Sequence, residues 1–390
     1  MKSYKLGEIA SFFQGKQVDL ENQFLNKDEN HNVRFVRIVD YTNSDEPIRY
    51  IENLGEKYYA RKGDLVMIRY GSQTAGKVVM GKSGIIANNM FKINLDNTVA
   101  NNEFMYYYLS QPHIFDYLRR AQSSSTMPAI NFGMLNNFEV MIPNIDIQEK
   151  IVSILKKLDD RIKINTQIND NLYELGDVLY KEYYSKYENE LPNGYKYLNL
   201  NEVSVNFDSK RKPMSSRERE QHKGIYPYYG ATSIIDYVDD YIFDDTYLLM
   251  GEDGTVKTNE GYPVLQYIWG KSCINNHTHV LQGTIISTEH LMFALRKKNI
   301  ETLITGAVQP KINQENMNKI KIIIATDDIN IKFEEQIKII VDKIKFNSIE
   351  NITLTQLRNT LLPKLMNEKI DLNKIEVWRW IYLKQQISMD

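Results

Sequence analysis

Two stretches of the chain repeat apolar residues at helical spacing. In the first, Ile151, Leu155, Leu158, Ile162, Ile168, Leu172, Leu175 and Leu179 recur, and with Asn165 added the steps are 4, 3, 4, 3, 3, 4, 3 and 4. This is a coiled-coil seam with one local irregularity. In the second, Ile337, Val341, Ile344, Asn351, Leu354, Leu361 and Leu365 follow the same seam at an offset of 186, which superposes Asn351 on Asn165. An Asn at such a position either is buried, fixing register at a cost in stability, or faces solvent. The spacing leaves both open. The first helix is expected from about Ile147 to Tyr187, ~60 Å at the usual rise. The second starts near Ile329 and should kink or end at Pro363, whose ring removes a hydrogen bond and clashes with the preceding turn.

Outside these stretches the pattern changes period. Short apolar runs bounded by Gly, Asn and Asp, such as Asp64 to Tyr70, Val78 to Met80 and Met90 to Leu95, predict strands. One helix is expected from Asn102 to Arg120, burying Tyr106, Leu109, Phe115 and Leu118. Each globular part is therefore mixed α/β (α+β), with no strict alternation of elements.

The chain also resembles itself. Pro128-Ala129-Ile130-Asn131 matches Pro310-Lys311-Ile312-Asn313 at an offset of 182, and Val140-Met141-Ile142 falls on Ile322-Ile323-Ile324 at the same offset. Gly81-Lys82-Ser83 with Ile86-Ala87-Asn88-Asn89 matches Gly270-Lys271-Ser272 with Cys273-Ile274-Asn275-Asn276. Asp64 to Ile68 and Glu103 to Leu109 find counterparts in Asp245 to Met250 and Glu289 to Leu295. The common order makes chance a poor explanation. The layout is domain, long helix, domain, long helix: residues 1–146, 147–190, 191–328 and 329–370, then an extension, 371–390, containing Trp378 and Trp380. Glu188 to Gly194 links the repeats.

Composition narrows the class. The 390 residues are 42% hydrophobic and 25% charged, ordinary values for a globular chain. A single cysteine, Cys273, excludes an intramolecular disulfide and a cysteine-based zinc site and fits a reducing cytoplasm. The N-terminus lacks a signal-like apolar core, and no uncharged run reaches the ~18 residues of a membrane helix, so a cytoplasmic protein with no membrane partner is expected. Net charge is −2, and Lys+Arg against Asp+Glu is 16 and 16, 7 and 9, 15 and 17, and 10 and 8 over residues 1–146, 147–190, 191–328 and 329–390. Any affinity for nucleic acid must come from local clustering or from a basic partner.

The duplicated layout resembles the specificity subunit of type I restriction-modification systems. Three further features carry the resemblance: the helix opening Ile147-Gln148-Glu149-Lys150-Ile151, the closing Leu361-Leu362-Pro363-Lys364-Leu365-Met366, and the paired Pro-x-Ile-Asn element before each helix. The resemblance implies two target-recognition domains that each read one half of a bipartite, asymmetric double-stranded DNA site. It implies an antiparallel helix pair that sets the unread spacer and docks two modification subunits, which bind S-adenosylmethionine and methylate adenine. Restriction subunits using ATP and Mg2+ can join and cleave. The specificity subunit itself is non-catalytic and holds no cofactor.

Gly76-Lys77-Val78-Val79-Met80-Gly81-Lys82-Ser83 satisfies the P-loop pattern, but its interior and sequel read as strand and turn, not as the start of a helix. A P-loop NTPase with a coiled-coil arm is the first alternative, and a coiled-coil scaffold that never touches DNA the second. There is no Asp/Asn-Pro-Pro-aromatic tetrapeptide of an amino-methylase. His277 and His279 would share a strand face, but no third metal ligand is evident.

The candidate DNA contacts are loops and basic runs. After a strand, Arg69, Tyr70, Ser72, Gln73 and Thr74 offer Arg for guanine and Gln for adenine edges, and Ser124 and Ser125 can donate to phosphate. In the second half, Lys210, Arg211, Lys212, Arg217 and Arg219 form the strongest basic cluster, diluted by Glu218 and Glu220. Glu252, Asp253, Thr255 and Lys257 form the counterpart of the Arg69 loop, with carboxylates suited to cytosine amino groups. Ordinary solvated loop is the competing reading of each. Helix pairing is assigned to Ile151, Leu158, Asn165, Leu172, Ile337, Ile344, Asn351 and Leu361.

Overall fold

The computed structural model describes residues 1–43, 46–71, 74–120, 129–306 and 309–367. The chain forms two units: Met1–Lys163 with Glu350–Asp390, and Ile164–Ile349. The long helices contribute to both.

In the first unit, Leu65–Ile68 is buried at every position because it is a central strand with a core on each face. Leu65 and Met67 enter one cluster with Phe91, Phe104 and Leu118, while Val66 and Ile68 enter a second with Phe35, Ile85 and Ile86. Around it an antiparallel sheet runs in the order Ala10–Gln14, Met90–Leu95, Leu65–Ile68, Val78–Met80. A second sheet runs Arg49–Ile51, Val33–Val36, Gly84–Ile86, Tyr59–Ala60, its middle pair parallel. Lys2–Lys5 pairs with Glu139–Ile142. The helix expected from Asn102 to Arg120 is two helices, Asn102–Leu109 and Pro112–Arg120. Pro112 has no N–H to continue the first but suits the opening turn of the second.

The second unit repeats this plan strand for strand. Its sheets run Ser204–Asn206, Thr278–Gly283, Tyr247–Gly251, Leu265–Ile268, and Ile234–Val238, Lys223–Tyr229, Lys271–Ile274, Phe243–Asp244, again with the middle pair of the second parallel. Lys196–Asn199 pairs with Lys321–Ile324. The helix Thr288–Arg296 is capped by Ser287, as Asn101 caps Asn102–Leu109.

The long helices span Ile145–Tyr183 and Asp327–Met366. Their starts differ by 327 − 145 = 182, the offset of the Pro-x-Ile-Asn elements. The offset of 186 inferred from the apolar pattern is therefore corrected: Asn165 corresponds to Asn347, and Asn169 to Asn351. The second helix runs on through Pro363, which sits in its last turn, and Asn367 Nδ2 donates to the Pro363 carbonyl at 2.7 Å.

Within the first unit the two helices lie antiparallel. Leu158, Leu354 and Leu357 bury together beside Ile162 and Leu361, Asp159 pairs with Arg358 at 2.7 Å, and Arg161 with Glu350 at 2.9 Å. Ile151 joins the main core with Leu365. Within the second unit, Asn347 Nδ2 donates to Asn169 Oδ1 at 2.8 Å, and Asn169 Nδ2 donates to the Ile344 carbonyl at 3.3 Å. Ile337, Ile344 and Asn165 are buried, but Asn351 is only half-buried. The first helix departs from its expected seam beyond Asn165. Asn169, Gly176 and Tyr180 turn inward, as does Tyr184 just past the helix end, while Leu172 is half-buried and Leu175 is exposed. The cause is Gly176, on which a Cβ would lie 2.2 Å from the Phe293 ring, so the helix Thr288–Arg296 approaches on the glycine face rather than the leucine face.

Candidate nucleic-acid interface

Equivalent loops meet at one end of the larger sheet in each unit. In the first unit the carbonyl of Arg69 accepts from Ile130 N at 3.0 Å, and Arg69 N donates to the Asn89 carbonyl at 2.8 Å. In the second, the carbonyl of Glu252 accepts from Ile312 N at 2.9 Å, and Glu252 N donates to the His277 carbonyl at 2.9 Å. Arg69 and Glu252 thus occupy the same place. Asn89 is equivalent to His277, one residue on from the match of the two Asn pairs.

At the first junction the Arg69 guanidinium donates to Gln14 Oε1 and to the Ile130 carbonyl, and lies over the rings of Tyr70 (5.0 Å) and Phe132 (5.5 Å). Thr74 Oγ1 donates to the Tyr70 carbonyl at 3.1 Å. Ser72, Gln73, Ser124 and Ser125 lie outside the described residues.

The second junction is a charge network. Arg211 Nη1 contacts Glu252 Oε2 at 2.5 Å and the Thr278 carbonyl at 2.9 Å, while Arg211 Nε donates to the Asp208 carbonyl at 2.9 Å. Lys311 reaches Glu252 Oε1 at 3.2 Å. Buried His279 sets Nδ1 2.6 Å from Asp208 Oδ2 and donates from Nε2 to the Ile312 carbonyl at 2.9 Å. Burial would raise the Asp208 and Glu252 carboxyls, but hydrogen bonds and nearby positive charge outweigh it and hold both below their ordinary values. Asp208, Glu252 and His279 lie close enough to suggest a metal ion. The donor chemistry does not fit one, because both His279 nitrogens are engaged and Arg211 and Lys311 already neutralise the carboxylates. His277 precedes the strand Thr278–Gly283 and is exposed against Asp253 at 2.5 Å, so the two histidines do not share a face.

The basic cluster divides. Arg219 is held by Asp236 at 3.2 Å and the Met214 carbonyl at 2.7 Å, and Lys257 is paired with Glu301. Lys210, Lys212 and Arg217 are exposed, as is Thr255. Among the described residues these three cations have no ion-pair partner. Arg217 projects from the helix Ser216–Gln221, which is closed by a Ser215–Glu218 capping box.

The P-loop-like segment is a strand and a turn. Val78–Met80 and Gly84–Ile86 flank Gly81-Lys82-Ser83, Lys82 Nζ donates to the Asp40 carbonyl, and the next helix begins only at Asn102. No helix N-terminus stands where a phosphate would need one.

Sequence reading did not single out Gln14, Asp208 or Lys311. Their signal lies in three dimensions, where they face Arg69, His279 and Glu252.

Two copies of one sheet-and-helix module, each ending in a polar loop junction and each taking part of two paired long helices, define a duplicated recognition protein. The type I restriction modification DNA specificity domain matches the chain twice, over residues 1–174 and 192–359. The chain belongs to that family: it is a DNA sequence-recognition subunit of the type I restriction-modification kind. Among its relatives, the type I restriction enzyme HindI specificity subunit of Haemophilus influenzae is 23% identical, covering 95% of this chain and 99% of that one. The MjaIX specificity subunit of Methanocaldococcus jannaschii is 21% identical, over 75% and 74%. The crystal structure of a type I restriction-modification S subunit from M. genitalium shares the fold, with a TM-score of 0.56, 18% identity and coverage of 93% and 95%.

Proposed function

We propose that each unit reads one half of a bipartite, asymmetric DNA site, and that the long helices set the spacer and dock two modification subunits. The carrying observation is that the two junctions share backbone geometry but differ in chemistry, Gln14–Arg69 against Asp208–Arg211–Glu252–His279–Lys311. One fold with two unlike reading ends suits two unlike half-sites. The bound modification subunits supply S-adenosylmethionine and the methyl transfer to adenine, and restriction subunits supply ATP- and Mg2+-dependent cleavage. This chain carries out recognition in the cytoplasm without chemistry of its own. Lys210, Lys212 and Arg217 are its phosphate contacts, Tyr70, Thr74 and Thr255 lie on its reading loops, and Ser72, Gln73, Ser124 and Ser125 remain candidate contacts by sequence. Near-neutral charge is compatible with this if the modification subunits share the phosphate contacts.

The test is single-molecule modified-base sequencing of a methylation-free host carrying the modification subunits with and without this chain. A bipartite adenine-methylated motif with a fixed gap, present only with the chain, is expected. Methylation that ignores sequence, or a motif independent of the chain, refutes the reading.

A further inference from the structure

The loop junctions combine burial, convergence and charge in a way the exposed basic residues do not. Arg211 joins three loops: its guanidinium reaches backbone carbonyls of Asp208 and Thr278 and the carboxylate of Glu252. Lys311 brings in the fourth, from the Pro-x-Ile-Asn element, through the same carboxylate. Asp208 closes the network, accepting from Val280 N at 2.8 Å while facing His279. The side chains of Arg211, Asp208 and Glu252 are 15%, 12% and 14% exposed, so they act on neighbouring loops more than on solvent. In the first unit, Gln14 stands across the strand pair from Phe91, the place where Asp208 stands across from His279. Arg69 stands where Glu252 does. At that one position the charge is inverted between the repeats, while the backbone hydrogen bonds on either side are kept.

We propose that these junctions are the specificity-positioning devices of the protein: Gln14–Arg69 sets the conformation of the reading loops in the first unit, and Arg211–Glu252 with Asp208, His279 and Lys311 sets it in the second. The proposal rests on the half-site reading above and adds which residues decide the half-site. The exposed cations Lys210, Lys212 and Arg217 then serve affinity, since a phosphate contact carries no base information. The junction residues act through the loops they hold. Base choice changes when a junction changes, because loop shape determines which edges in the groove can be reached.

The experiment uses the full chain co-expressed with its modification subunits in a methylation-free host, with motifs mapped by modified-base sequencing. Glu252→Gln and Arg211→Gln are expected to relax discrimination by about tenfold at one or more bases of one half-site, leaving the other half-site and the gap unchanged. Arg69→Gln is expected to relax the opposite half-site. The double exchange of Arg211→Glu with Glu252→Arg should discriminate better than either Arg211→Glu or Glu252→Arg alone. Lys311→Met, at a half-exposed position, removes one arm of the network and serves if the buried variants do not co-purify with the modification subunits. Uniform loss of methylation at every site with an unchanged motif overturns the proposal, because it assigns the junctions to stability only. Relaxation of both half-sites by one variant also overturns it. Absence of any bipartite motif with the unaltered chain refutes the half-site reading itself, and this proposal with it.

Discussion

At Arg211 the guanidinium turns inward, whereas Lys210 and Lys212 on either side are exposed. The outward pair and Arg217 should behave as phosphate contacts. Replacing any one with Ala should weaken DNA binding by the complex about equally for all sequences and lower the dependence of log Kd on log salt by about one. A salt titration of the complex on matched and mismatched duplexes checks this, and a changed preference between them counts against it. Acid should loosen the junction. Asp208 and Glu252 have ordinary values of 3.8 and 4.5 and are held lower in the folded protein. Their stabilisation is complete above those values and is lost as pH falls through the lowered ones. His290 acts in a higher window. Burial pushes its imidazole below the ordinary 6.5, Nδ1 contacts Glu334 at 3.1 Å, and Nε2 meets no acceptor among the described residues. The neutral ring is the folded form. The Tyr184 and Phe333 rings, each 4.8 Å away, keep water from a charged one. A group depressed in this way favours folding above its unfolded value and costs stability below it. The melting temperature should therefore fall as pH drops from about 7.5 to about 5.5, and His290→Phe should flatten that decline.

The long helices depend on a few contacts that break their own periodicity. The buried Asn169–Asn347 pair puts a hydrogen bond where a seam ordinarily carries apolar side chains, and it fixes which turn faces which. Asn347→Leu alone leaves the Asn169 amide short of a partner and should cost about 1–3 kcal/mol in denaturant unfolding. Changing both to Leu should recover most of that. Gly176→Ala should also destabilise, by about 1–3 kcal/mol, since its Cβ would overlap the Phe293 ring in a packed junction. The apolar spacing showed that both helices exist and roughly where they begin. It mistook the face, because Leu172 and Leu175 continue a heptad that the protein abandons for Gly176, Tyr180 and Tyr184. Nothing in the local sequence says that a neighbouring helix needs a glycine to approach.

For the chain as a whole the duplication is the organising fact. Both units build the same three sheets in the same strand order, so an exchange of one unit between related proteins should move one half-site without the other. An insertion within 165–175 of the first long helix should change the gap of the recognised motif and leave the half-sites alone. Motif sequencing reads both outcomes. A changed half-site after the insertion would mean that the helices also shape the reading loops.

Repetition of short motifs in a fixed order was legible in the bare chain, and so were the strands, the two long helices, the lone thiol and the family resemblance, because each depends on residues near one another or on composition. The Arg69 and Glu252 loops were matched correctly for the same reason: each follows a central strand. The roles within those loops were not legible. Arg211, Arg219 and Lys257 read as available cations but are held by Glu252, Asp236 and Glu301, acids 41, 17 and 44 residues away. Gln14 and Asp208 gave no signal, since their importance comes from which strand lies opposite. Charge pairing and loop convergence act across long separations in sequence. They exist only once the sheets have brought the loops to one end, and there the physics of burial decides which side chains pair across the loops and which stay exposed.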